Sequence, residues 1–163
     1  YPSGNMTRYQ QPAASVTRLS DGSYVVDLGK EIIGSIRLTV DSPKQQTVTL
    51  LYGEERNNDG TVKSKMRTGN VYEEQWVLKK GEQTLEGIGM KCFRYIQIKN
   101  FPASLTAEQI TGLTIRQEFD DSQSSFSSSN QMLNEIYEMT KYTVKNRGSK
   151  PVCGLPKQGK KNL

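Results

Sequence analysis

The chain has 163 residues, with 22 Lys and Arg against 17 Asp and Glu, no His, two Cys and one Trp. One domain is the expectation at this length, and the missing His removes Ser-His-Asp and Cys-His catalysis together with every His-containing metal site. No apolar run approaches the ~20 residues that span a bilayer, and two cysteines are too few for a disulfide scaffold or, by themselves, a structural zinc site. The opening YPSGNMTRYQQP has neither an initiator Met nor the layout of a signal peptide, which fits a processed or cut fragment and hides the compartment.

In chain order, residues 1–20 are polar and turn-rich and read as an irregular lead-in. From 23 to 119, short runs rich in Val, Ile, Thr and Tyr are punctuated by Gly, Asn and Asp. They predict strands at 24–28, 33–40, 46–52, 72–78, 83–86, 93–99 and 110–119. Ile36, Leu38 and Val40 share one face while Arg37 and Thr39 take the other, and Val48, Leu50 and Tyr52 repeat the pattern. Seven such strands with no long amphipathic helix between them argue for a mainly β protein, an antiparallel β-sandwich reaching to residue 121. The run Asn57-Asn58-Asp59-Gly60 tolerates left-handed backbone angles and reads as a turn. It lacks the acidic residue that closes a calcium loop.

Composition then changes. SQSSFSSS at 122–129 reads as a linker, followed by a helix over 130–148 capped by Asn130 and ended by Gly148. Met132, Leu133, Ile136, Tyr137, Thr140 and Val144 fall on one stripe of it. Such a helix either lies on the sandwich or offers its stripe to a helical domain elsewhere. The net charge of +5 is concentrated at this end: 15 basic and 17 acidic residues lie up to position 140, and seven basic and no acidic ones follow. An irregular basic tail over 149–163 can bind phosphate polymers. No aromatic beyond Tyr142 is available to stack on bases, so the plainer reading is a solvated end, with neither nucleic acid nor membrane as a partner.

The residues carry a family resemblance. YVVDLGKEIIGSIRLTV resembles the strand pair that opens the β-sandwich module of bacterial α-L-rhamnosidases, and VTLLYGEERNNDGTV, KMRTGNVYEEQWVL and GIGMKCFRYIQI follow in that family's order. SSFSSSNQMLNEIYEMTKYTVKN resembles the junction where the family leaves the sandwich and begins its helical catalytic barrel, so the likeness covers about residues 24–147. It implies a concanavalin-like sandwich of jelly-roll type, a periplasmic or extracellular setting, and a parent glycoside hydrolase releasing terminal α-L-rhamnose by an inverting mechanism with two carboxyl groups. Those acids sit in the barrel, whereas the 16 residues past Arg147 contain no Asp or Glu. The expectation is a truncated or split module without glycosidase activity of its own. The alternative is an independent carbohydrate-binding module for rhamnose-containing glycans. Its partners would be a helical catalytic domain, a second copy docked through apolar faces, or such glycans.

Individual side chains fit this frame. Glu54–Glu55 and Glu73–Glu74 are sequence neighbours, which a strand points to opposite faces, and Asp120–Asp121 reads as solvated, so no catalytic residue is assigned. Trp76 shares its face with Tyr72, Glu74 and Leu78, and is either a stacking platform for a sugar ring or a core anchor. Arg67 and Asn70, in the RTGN run, are the further carbohydrate-binding candidates, or simply members of a self-bonded loop. Phe93 and Tyr95 alternate with Cys92, Arg94, Ile96 and Ile98, which predicts burial on two sides, one of them facing a neighbouring domain. Arg94 falls in register with Ile96 and Ile98, where an unpaired Arg seldom goes inside. Either a bulge turns it outward or it meets a carboxylate across a domain boundary, which makes it the interdomain candidate. Cys92 is expected to be buried and inert, Cys153 lies in the tail, and no metal or cofactor is implied.

Overall fold

The computed structural model describes residues 6–147; Gly148, Cys153 and the basic tail lie outside the described residues. The elements run β1 (Met6–Pro12), β2 (Ser15–Arg18), β3 (Tyr24–Ser42), β4 (Gln46–Gly53), β5 (Glu73–Leu78), β6 (Gly81–Glu86), β7 (Lys91–Lys99), β8 (Ile110–Gln117) and α1 (Gln131–Arg147). The strands pair antiparallel in the order β1-β8-β3-β7-β4-β5, with β2 and β6 also on β3. The sheet curls around β3, whose first half pairs with β2 and β7 and whose second half pairs with β8 and β6. Both halves contribute to one core, so the mainly β sandwich with a single C-terminal helix is the observed architecture.

Alternation explains the core. Ile32, Ile36, Leu38 and Val40 of β3 are buried and meet Val48, Leu50 and Tyr52 of β4 and Phe93, Ile96 and Ile98 of β7 in one cluster. Each such side chain contributes about 1.5–3 kcal/mol by leaving water. The strands predicted at 24–28 and 33–40 are one strand. Its pairing with β7 shifts register between Asp27 and Ile32, and Gly29 there has φ +76°, a left-handed value that favours glycine. Gly34 serves close approach instead, since a Cβ on it would lie 1.9 Å from the Leu113 carbonyl oxygen.

The expected irregular lead-in is corrected: it supplies β1, paired with β8 from Met6↔Gln117 to Pro12↔Thr111, and β2, paired with Tyr24–Asp27 of β3. These edge strands are held by backbone pairing and bury little, so MTRYQQP has no apolar period to reveal it as a strand.

The chain between β4 and β5 folds over the outer side of β7. Val62 is buried there, its N–H donating to Gln97 Oε1 at 3.1 Å, while Gln97 Nε2 donates to Ser23 Oγ at 2.9 Å. The second side of β7 is thus covered at Gln97 by this chain's own loop. The 57–60 run is a turn, with the Gly60 N–H donating to the Asn57 carbonyl at 3.0 Å.

Asn130 caps α1 as expected, its Oδ1 accepting from the Met132 N–H at 3.0 Å. The Ser-rich stretch is tied to the helix, for Ser128 exchanges hydrogen bonds with the Asn134 side chain at 2.8 and 2.9 Å. Among the described residues, no helix is long and apolar enough to cross a membrane.

Candidate functional site

Trp76 lies on the inward face of β5, with Tyr72 just ahead of the strand. Leu78 is fully buried, and Trp76 and Tyr72 are half-buried against the core. Glu74, between them, is fixed from three directions: Tyr52 Oη donates to it at 2.8 Å, Trp76 Nε1 at 3.2 Å, and Lys91 forms an ion pair with it. Burial, with the Glu74 charge second, pushes the Tyr52 phenol far up, so it stays a donor. Gly87 lies against this cluster, where a Cβ would stand 3.5 Å from the Trp76 ring. Trp76 is thus braced at its nitrogen and packed on the core. Arg67 and Asn70 are exposed instead, on a turn closed by Met66 N–H to Asn70 carbonyl (2.8 Å) and Gly69 N–H to Met66 carbonyl (2.9 Å). Two of the four carbohydrate-binding candidates are therefore half-buried against the core and two are on the exposed turn.

Arg94 meets a carboxylate within its own domain. Its Nε and Nη2 donate to Asp27 Oδ1 and Oδ2 at 2.8 and 2.9 Å, a bidentate pair between β7 and β3. Phe93 and Ile96, three apart, both reach the core, so the phase of β7 changes at Arg94–Tyr95 and the guanidinium turns outward. The Arg94 hydrogen bonds hold the Asp27 carboxyl below the usual carboxylate range. Two guanidinium groups lie over the Tyr95 ring, Arg94 at 5.0 Å and Arg56 at 5.1 Å from its centroid.

The adjacent carboxylates diverge as expected. Glu55 pairs with Lys63 at 2.9 Å, and Glu73 is exposed while Glu74 turns inward. Asp120 and Asp121 are engaged rather than simply solvated: Asp120 accepts from Ser122 and Gln123, which hold its carboxyl down to about 2, and Asp121 pairs with Lys145 and Lys141 of α1.

Sequence reasoning missed one group. Glu31, Glu54 and Cys92 offer ligand atoms within 4.8 Å of one another, the carboxylates exposed and the thiol half-buried. Cys92 Sγ donates to Glu31 Oε1 at 2.7 Å, and burial first, then Glu31, pushes the thiol up, so it stays protonated. Burial, then Glu31 and Glu55, raises the Glu54 carboxyl. A divalent cation would have to displace that thiol proton. The three residues lie 23 and 38 positions apart in the chain, and only strand pairing joins them, so no spacing pattern announces them.

An open groove of about 250 Å³ lies on the outer face, lined by Arg8, Ser35, Glu86, Ile88, Met90 and Ile115. Arg8 and Arg37 both pair with Glu86 there, at 3.1 and 2.8 Å. None of the predicted site residues lines it.

The described residues thus form a curled antiparallel sandwich built on one long strand and followed by a helix. Residues 17–116 match the bacterial alpha-L-rhamnosidase concanavalin-like domain, and the chain belongs to this family, whose parent proteins are glycoside hydrolases. An α-L-rhamnosidase of Streptomyces avermitilis is 34% identical over 103 residues, 62% of this chain and 10% of that protein. The crystal structure of a Streptomyces avermitilis α-L-rhamnosidase complexed with L-rhamnose matches with a TM-score of 0.73 and 27% identity, over 88% of this chain and 14% of the other. The native Aspergillus terreus enzyme shares the fold, with a TM-score of 0.73 at 22% identity over 86% of this chain and 16% of its own. The chain thus spans about a tenth of the length of the curated relative it matches.

Proposed function

We propose that this chain is the non-catalytic β-sandwich module of an α-L-rhamnosidase-like glycoside hydrolase, which scaffolds a helical catalytic portion. That portion would supply the two carboxyl groups of an inverting hydrolysis of terminal α-L-rhamnosides. One observation carries this reading. The sandwich completes its own core, whereas the apolar residues of α1 stand in water, with Met132 67%, Leu133 45%, Ile136 45%, Met139 64% and Val144 51% exposed. Apolar residues at helical spacing are expected to meet another apolar face, and a helical portion supplies one. In isolation, the same stripe makes a second copy of the chain its available partner.

The carboxylates of the module suit other tasks. Glu74, Asp27, Glu55 and Asp121 are each held in an ion pair. The purified full chain, assayed with p-nitrophenyl α-L-rhamnoside, should release no p-nitrophenol above the buffer rate. Catalysed release would overturn the proposal. Calorimetric titration with L-rhamnose tests the carbohydrate-binding alternative, and a blank is expected because Trp76 is braced against the core.

A further inference from the structure

A surface helix ordinarily turns its apolar stripe toward its own domain and its polar side to water. α1 is docked the other way round. Its contacts with the sandwich and the preceding segment are polar and aromatic: Tyr142 Oη donates to the Glu31 carbonyl at 2.7 Å, and Lys145 and Lys141 pair with Asp121 at 2.6 and 3.0 Å. Tyr137 Oη donates to the Ser124 carbonyl at 3.2 Å, and its ring lies 5.4 Å from that of Phe126. The Lys30 ammonium sits 4.7 Å from the Tyr142 ring centroid, and that of Lys145 sits 5.4 Å from Phe119. The side chains of Lys141 and Lys145 are only 16% and 18% exposed, whereas Met132, Leu133, Ile136, Met139 and Val144 are 45% to 67% exposed.

A helix of 17 residues without a single Ala is marginal in water by itself, so its order has to come from tertiary contacts. Among the described residues, Met132, Leu133, Ile136, Met139 and Val144 stay 45% to 67% exposed and supply little of it. We infer that α1 is a strap latched from its polar side: Asp121 and the Glu31 carbonyl hold it folded and oriented on the sandwich before anything covers its apolar stripe. The register shift of β3 places Glu31 outside the regular pairing with β7, where its carbonyl is free to receive Tyr142. A covering partner then meets an ordered helix and need not order it. That consequence rests on the scaffold function proposed above. The latch does not, and it is tested on the full chain with no partner and no activity assay.

Amide hydrogen exchange of α1 is compared in wild type, in Asp121→Asn/Tyr142→Phe, and in Met132→Ser/Met139→Ser. The amides of β3 and β7 report in each case that the sandwich is intact. Wild-type α1 should be protected, the latch variant should lose about tenfold of that protection or more, as the loss of the two ion pairs of Asp121 and the Tyr142 hydrogen bond implies, and the stripe variant should keep it. Free-peptide exchange in wild type, unchanged protection in the latch variant, or release of the helix by the stripe variant would each overturn the latch. Should the double variant disturb the sandwich, Tyr142→Phe alone is read by the same criterion.

Discussion

The sandwich strands and α1 are both amphipathic in sequence and have opposite fates. Ile36, Leu38, Leu50, Ile96 and Ile98 are fully buried by one another, while Met132, Ile136, Met139 and Val144 face water. The strands therefore gain the stabilisation of burial inside this chain. α1 is ordered by hydrogen bonds and ion pairs on its other side. The difference separates what the chain needs in order to fold from what it presents to something else. A core that closes on itself can stand alone, and a helix docked by its polar side leaves its apolar stripe uncovered among the described residues.

That contrast can be attacked first on the sandwich side. In Gly34→Ala, the added methyl would lie 1.9 Å from the Leu113 carbonyl oxygen, so β3 and β8 must part. The expected cost is about 3 kcal/mol or more, read by urea denaturation, and no comparable backbone clash exists to be made on the outward side of α1. Next is Asp27→Ala, which leaves Arg94 without its bidentate partner and should cost about 2 kcal/mol. The sign with pH follows from the lowered Asp27 carboxyl. Its contribution is fully present above the unfolded carboxylate value of about 3.9 and is lost as pH falls through the lower folded value. Asp27→Asn should flatten the acid limb of the stability profile, and an unchanged limb would show that the pair contributes nothing. The smallest effect on stability belongs to Met132→Ser/Met139→Ser, within about 0.5 kcal/mol. Sedimentation at high protein concentration should still separate this variant from wild type, which is expected to self-associate through the stripe. Identical sedimentation would remove the second copy as a partner.

Much of the sandwich was legible because a strand with one buried face must alternate, and the second half of β3 and β4 do. β1 and β2 were not, since polar edge strands are specified by the neighbour they pair with. Arg94 was visible as an anomaly, but its resolution needed the phase change in β7 and the position of Asp27 one strand away. Trp76 could be placed on a face, though not as braced or open, because Glu74 and the Gly87 loop decide that from different parts of the chain. The stripe of α1 was legible at Met132, Leu133, Ile136 and Val144, but Met139 was left out of it and Tyr137, counted in it, docks against Ser124 and Phe126. Its orientation was not, because periodicity marks where apolar side chains lie and is silent on a helix that docks through Tyr142, Lys141 and Lys145. The Glu31–Glu54–Cys92 group exists only once three segments are brought together.

The most direct test of the self-sufficient sandwich beside an outward-facing helix is paired equilibrium denaturation of Leu50→Ala and Ile136→Ala in the full chain. Leu50 is fully buried and Ile136 is 45% exposed. Loss of about 2–5 kcal/mol is expected for Leu50→Ala and no more than about 0.5 kcal/mol for Ile136→Ala. Equal losses would mean that the α1 stripe is buried in the folded chain and would contradict the division between the two regions.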